Sequence, residues 1–382
     1  MEPAQIPNEV YYLKQIIDLK SEIIKLQKEL LEKDKIMKID KERIEELEKK
    51  LNEIKSKQNS INPRLITTKG SFDILKKEPI IKIDDGTCYS IYFLEDGRLA
   101  ATTSSSIIIY NSETFKSEMT IKEHSDSIYF LTQLSNGNLV SVGSEGNINI
   151  YSLLEDSKYI VLQKKKAHDK TIYKLREYDN DRFMTCSKDC SIKFFFKNKN
   201  EYCEDYTYKD EAKDNNYGIY NILKTKEDEI VYIYNTYTHH DNASYYYYYI
   251  KFYDLKSRKI IDSISINDFS RGINDSLYMI NKNYLLVGTK NSIELFDVNQ
   301  RRQIKSIKSD NSDYVLTFMK INDNTLLSGD SKGKIKQWII DDDNLILEST
   351  KENAHNKNKI YMITKRNDGL VISASNDIKG WA

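Results

Sequence analysis

Cysteine and proline are scarce in this chain, at four residues each in 382, and tryptophan is scarcer still at two. Four cysteines cannot build a disulfide framework over such a length, which points to a reducing compartment. The cytoplasm is the expectation, with the nucleus or an organelle surface left open. No run approaches the roughly 20 apolar residues of a membrane-spanning helix. Residues 1–8 lack the basic-then-apolar order of a secretory signal. Neither charge is in excess: 58 Lys plus Arg stand against 58 Asp plus Glu. That balance leaves no electrostatic footprint for nucleic acid, so no nucleic-acid partner is expected. Nucleotide-binding loops and paired-carboxylate motifs are missing too, and neither an enzyme nor a cofactor is expected.

What is present falls into two regions of different period. Residues 1–9 read as a disordered N-terminus and residues 10–58 as one long helix with a seven-residue apolar repeat. The seam runs Ile16, Leu19, Ile23, Leu26, Leu30, Met37, Ile44, Leu47, Leu51 and Ile54, with only Lys33 and Asp40 polar among twelve seam positions. The segment contains no Gly or Pro. Such regularity has no use in an isolated helix and predicts a coiled coil, most simply a homodimer. Ile17, Ile24 and Leu31 widen the apolar face of the first half, so a larger bundle or a docked partner helix stays open.

Beyond a breaker-rich linker, 59–71, the apolar period becomes two. One unit recurs: an Ile-Tyr pair, a turn, an apolar run with small residues, a second turn, and a strand ending on an aromatic. The closing aromatics are Tyr110, Tyr151, Phe195, Tyr253, Phe296, Trp338 and Trp381, spaced 41, 44, 58, 43, 42 and 43 residues apart. A period of about 40–45 residues built from short strands is that of a four-stranded propeller blade. The expected fold is therefore all-β, a seven-bladed β-propeller over 72–382, with an insertion at 237–249 in the fourth unit. The seventh unit shows only three strands before the sequence ends. Residues 72–83 look like a detached outer strand, so strand 79–83 is expected to complete the last blade beside 378–381.

Individual units resemble the WD-repeat family. "AHDKTIY…TCSKDCSIKFF" carries His168, Ser187, Asp189 and Phe195, and "AHNKNKIY…SASNDIKGW" carries His355, Ser375, Asp377 and Trp381, in the positions of that family's conserved-type residues. The second unit keeps His124 and Ser144 but has Gly146 for the Asp. The resemblance implies that these groups form buried hydrogen-bond networks inside the blades rather than a hydrolase triad. It also implies a rigid face for protein docking, in the manner of cytoplasmic WD-repeat scaffolds that follow a coiled coil.

Candidate sites divide by chemistry. Tyr92, Tyr129, Tyr173, Tyr220, Tyr278 and Tyr361 follow the Ile or Leu of six units. Ile172 and Leu175 are three apart, which breaks strict alternation and predicts a bulge that turns the intervening tyrosine toward the channel mouth. Such tyrosines either form a partner-binding ring or pack between blades. Cys186, Cys190 and Cys203, with His239 and His240, have no CxxC spacing, and no metal is expected. "DFSRG" places Phe269, Arg271 and Gly272 in likeness to the Phe-Arg-Arg-Gly signature of phosphoinositide-binding autophagy propellers. That alternative makes the chain a membrane-lipid effector through Arg271, although Ser270 removes one of the two arginines.

Overall fold

The computed structural model describes residues 78–154, 157–210, 218–240, 243–266, 276–309 and 313–381. The coiled-coil seam and the linker lie outside the described residues, as does the Phe269–Gly272 stretch. The described residues form seven four-stranded sheets, every pair of neighbouring strands antiparallel. Six sheets take their strands in consecutive order, giving blade 1 (91–121), blade 2 (128–166), blade 3 (172–209), blade 4 (218–266), blade 5 (277–308) and blade 6 (315–351). Blade 7 combines Met362–Lys365, Val371–Ala374 and Ile378–Trp381 with a strand from the other end of the chain, Ile81–Ile83. That strand pairs Ile81 with Gly380, Lys82 with Lys379 and Ile83 with Ile378. The Ile80 N–H adds a bond to Gly380 O at 2.8 Å.

The first strand of each blade touches the first strand of the next all round the ring, so these seven strands form the inner wall. The apolar alternation is satisfied between blades: each of seven buried clusters draws on two adjacent sheets. All seven closing aromatics are at most 1% exposed. In blades 1 to 6 the aromatic is the site of a register shift against the outer strand. Two outer-strand residues then face one, the strand bends around the ring side chain, and the sheet gains twist. The insertion of the fourth unit lengthens its central hairpin, Glu229–His240 paired with Ala243–Asp254, 12 residues each.

At the seam between blades 7 and 1, Ile81 and Ile83 pack against Ile372, Ala374 and Ile378 on one side and Cys88, Ile91 and Tyr110 on the other. Glycine at 380 makes the approach of Ile81 feasible. A Cβ there would stand 2.6 Å from the Ile81 Cδ1. A closed ring leaves no radial gap and covers the edge of the C-terminal strand.

Candidate functional site

Tyrosines reach the channel mouth through a bulge at the start of the inner strand. The register skips from Ile128 to Phe130, from Ile172 to Lys174 and from Ile219 to Asn221, leaving Tyr129, Tyr173 and Tyr220 as the extra residues. An unpaired bulge residue is released from the sheet's alternation and turns off its face. Tyr89 and Tyr361 complete the set. Ring centroids lie 4.8 Å apart for Tyr361–Tyr89, 5.0 Å for Tyr89–Tyr129, 5.9 Å for Tyr129–Tyr173 and 4.5 Å for Tyr173–Tyr220. A seven-fold circle with neighbours about 5 Å apart has a radius of about 6 Å, the scale of a propeller's central channel. The five rings thus make a continuous arc over blades 7, 1, 2, 3 and 4, each half-buried. Burial, and then the neighbouring tyrosines, push the Tyr89 and Tyr361 hydroxyls above the usual phenol range.

Two residues expected in this ring lie elsewhere. Tyr92 packs in the cluster between blades 1 and 2, its hydroxyl pushed up by burial. Tyr278 packs 6.3 Å from Phe318 and accepts the Lys320 N–H at 3.0 Å, bridging blades 5 and 6. Both stand three residues further along the inner strand, in regular register with the second strand. The usable signal is the distance to the following turn. Tyr89, Tyr129, Tyr173 and Tyr361 each precede by eight residues a turn residue of positive φ: Gly97, Gly137, Asp181 and Gly369. Tyr92 was picked out by its Ile-Tyr pair, which in blade 1 sits three places later. In blade 6 the bulge position is Leu316, only 5% exposed, so no tyrosine takes that place in blade 6.

The histidine sets are internal braces. His168, 2% exposed, meets Asp189 at 2.9 Å through Nδ1 and Thr185 Oγ1 at 2.8 Å through Nε2. His355 is fully buried; its Nδ1 meets Asp377 and its Nε2 lies 2.6 Å from Ser373 Oγ, which also accepts the Trp381 indole N–H at 2.8 Å. The hydroxyl at Nε2 is therefore Thr185 or Ser373, not the expected Ser187 or Ser375, and in blade 3 Ser191 Oγ adds a second one, 3.0 Å from His168 Nδ1. Those lie one pleat period nearer the turn. Ser187 Oγ instead accepts the Asp189 N–H at 3.0 Å, and the Ser375 carbonyl accepts the Cys88 N–H at 2.7 Å. Phe195, with no polar atom, contributes packing, 5.0 Å from Phe183. In blade 2, His124 Nε2 lies 2.6 Å from Ser141 Oγ, and Glu145 replaces the missing Asp, 2.7 Å from Nδ1. Ser144, expected at the hydroxyl position, donates to Ser127 O.

Burial raises the Asp189 carboxyl, but the His168 and Ser191 donors outweigh it and hold it well below its ordinary value. Burial lowers the His124 and His355 imidazoles below theirs despite the adjacent carboxylates. Blade 4 builds the same brace from other groups. Asp210, 6% exposed, accepts from Tyr232 Oη at 2.7 Å and from Lys251 Nζ at 2.7 Å. None of these carboxylate–hydroxyl sets presents an open nucleophile; they tie the loop entering a blade to its second and third strands.

Cys186 and Cys190 are buried free thiols and Cys203 is a half-buried one. Among the described residues no group of three or more metal-ligating side chains comes together. The side chains of His239 and His240 lie outside the described residues, and so does Arg271.

The family model "WD domain, G-beta repeat" matches residues 115–152. No curated protein matches the chain. The matched stretch holds the outer strand of blade 1, Ser117–Ile121, the first two strands of blade 2, Ile128–Gln133 and Leu139–Gly143, and all but the last residue of the third, Asn147–Leu153. The sequence repeat is thus offset by one strand from the sheet, the same offset by which Ile81–Ile83 completes blade 7. This chain carries a seven-bladed β-propeller, one repeat of which is of the WD type.

Proposed function

We propose that this protein is a non-catalytic scaffold whose propeller docks a protein partner on the tyrosine arc. The observation that carries the reading is the continuity of that arc, five half-exposed rings in mutual contact from Tyr361 to Tyr220. Propellers of this type are generally protein-interaction platforms, wide and rigid. Tyrosine suits such a surface because it offers apolar area and a hydrogen-bonding tip with little rotamer entropy to lose. Residues 10–58 would join two or more propellers as a coiled coil, raising the effective concentration at repeated or clustered partners. The cytoplasm is the proposed site of action.

Replacing Tyr129 and Tyr173 by glutamate tests the docking surface. The expected result is loss of the proteins captured by the wild type, with an unchanged melting temperature. Destabilisation with capture retained would show that the rings serve packing alone. Sedimentation equilibrium tests the coil: a chain shortened to begin at Asn59 should be monomeric, and the full chain should not.

A further inference from the structure

On the face opposite the tyrosine arc, most seams are bridged by one long side chain that reaches from a turn of one blade to the adjacent blade. Arg98 of blade 1 donates to Ser157 O of blade 2 at 3.0 Å. Asn136 of blade 2 donates to Asp181 of blade 3 at 2.6 Å. Arg258 of blade 4 lies 3.9 Å from the ring centre of Tyr206 in blade 3. Arg301 of blade 5 pairs with Glu229 of blade 4 at 2.8 Å. Arg366 of blade 7 donates to Ser112 O of blade 1. Four of these five bridges are arginines.

The seam between blades 5 and 6 is built the other way. The turn that carries Arg258 in blade 4 and Arg301 in blade 5 carries Asp341, Asp342 and Asp343 in blade 6. The first turn of blade 5 lines the seam with Asn281 and Tyr284; its one cation, the exposed Lys282, lies outside that lining and makes no ion pair with blade 6 among the described residues. Between these turns lies an open cavity of about 710 Å³, lined also by Asp323, Ile339 and Ile346. Ile339 and Ile346 pair across the two outer strands of blade 6 and are 38% and 46% exposed. Asp341 and Asp342 are exposed and have no ion pair among the described residues, while Asp323 pairs only with Lys320 of its own blade, at 3.0 Å. Where four other seams hold their own guanidinium, this one offers carboxylates beside bare aliphatic surface.

We propose that this groove docks a basic, aliphatic segment of a protein partner. An Arg or Lys head group lies among Asp323, Asp341 and Asp342, and a neighbouring Leu or Ile covers Ile339 and Ile346. Charge complementarity selects this occupant: an acidic or neutral apolar segment would leave the carboxylates desolvated and unpaired. The site lies on the face opposite Tyr129 and Tyr173, so two partners can be held at once.

The test uses the full chain and a fluorescein-labelled (Leu-Arg)₃ peptide, with (Leu-Glu)₃ as its counterpart, read by fluorescence anisotropy. The Arg peptide should bind and the Glu peptide should not, and binding should weaken between low and moderate salt. Asp341→Asn with Asp342→Asn should weaken the Arg peptide by about fivefold, the scale of two exposed ion pairs. Ile346→Ser should weaken it as well. Asp84→Asn with Asp126→Asn makes the same change of net charge on the opposite face and should leave binding intact. Equal weakening by both pairs would mean diffuse attraction and would overturn the proposal, as would no binding at all. Self-association abolished by the Asp341 and Asp342 changes, without peptide binding, would make the occupant a second copy and overturn it equally. All these positions are exposed, so each variant should keep the parent melting temperature.

Discussion

Replacing both Ile81 and Ile83 by alanine should loosen the one joint of the ring that no covalent turn holds. Each isoleucine is half-buried in the cluster shared by blades 7 and 1. Full burial of an isoleucine makes truncation to alanine cost about 2–5 kcal/mol, so half-burial brings the figure to about 1–2 kcal/mol each. Together the two changes should cost about 3 kcal/mol, or a melting midpoint lower by about 5 °C for a domain of this size. That is a large share of the roughly 5–15 kcal/mol that holds a domain folded. Ile160→Ala is the control: at 47% exposed, on the outer strand of blade 2, it should move the midpoint little. Gly380→Val probes the same joint from the other strand, because its Cβ would meet Ile81 Cδ1 at 2.6 Å and Ile372 Cδ1 at 3.1 Å. Differential scanning fluorimetry with limited proteolysis reads the result, and cleavage should concentrate near residues 78–84. If the Ile81 and Ile83 double variant melts with the Ile160 control, the closing strand does not stabilise the ring and the reasoning fails.

Two other braces give separate predictions. Ser328→Ala removes the acceptor, 2.8 Å away, of the fully buried Trp338 indole N–H, and should cost about 1–3 kcal/mol. Adding Trp338→Phe removes the orphaned donor, so the double variant should cost less than the two singles summed, as a double-mutant cycle by urea denaturation would show. Acidification should destabilise the propeller first through its histidines. His124 and His355 are held below their ordinary value of 6.5 by burial. The unfolded chain therefore takes up protons that the folded one refuses, so the stability present above pH 6.5 is lost progressively below it. Melting temperatures measured from pH 7.5 to 5.5 should fall, and His124→Gln with His355→Gln should flatten that slope. An unchanged slope would assign the effect to other groups.

Much of the architecture was legible in the amino-acid order because a blade repeats a local pattern. Closing aromatics recur at near-constant spacing, and each must be buried against the neighbouring blade, so their count gives the count of sheets. The one-strand deficit of the last unit pointed to residues 79–83, and Ile81–Ile83 lies beside Ile378–Trp381. The tyrosine arc was only partly legible. Tyr129, Tyr173, Tyr220 and Tyr361 follow the Ile-Tyr pairing, but Tyr89 has serine after it where the others have a longer side chain. Its place depends on the count back from Gly97, which sets where the inner strand enters the sheet.

The hydrogen-bond braces show a second limit. Sequence spacing named the histidines and the aspartates, which sit in turns of definite length. It misassigned the hydroxyls, because Thr185 and Ser187 share one face of a strand and only the depth of the imidazole in the blade selects between them. Glu145 and Asp210 went unread for a related reason: a carboxylate reaches the brace from a different chain position when the surrounding loop lets it.

By itself, then, the sequence determined the repeat, its period and the strands that needed partners, since these follow from local alternation and turn chemistry. Tertiary structure alone decided which side chains from distant repeats meet. The arc gains its Tyr361–Tyr89 contact only because ring closure joins the two ends of the repeat array, and the acidic seam exists only because blades 5 and 6 pack side by side.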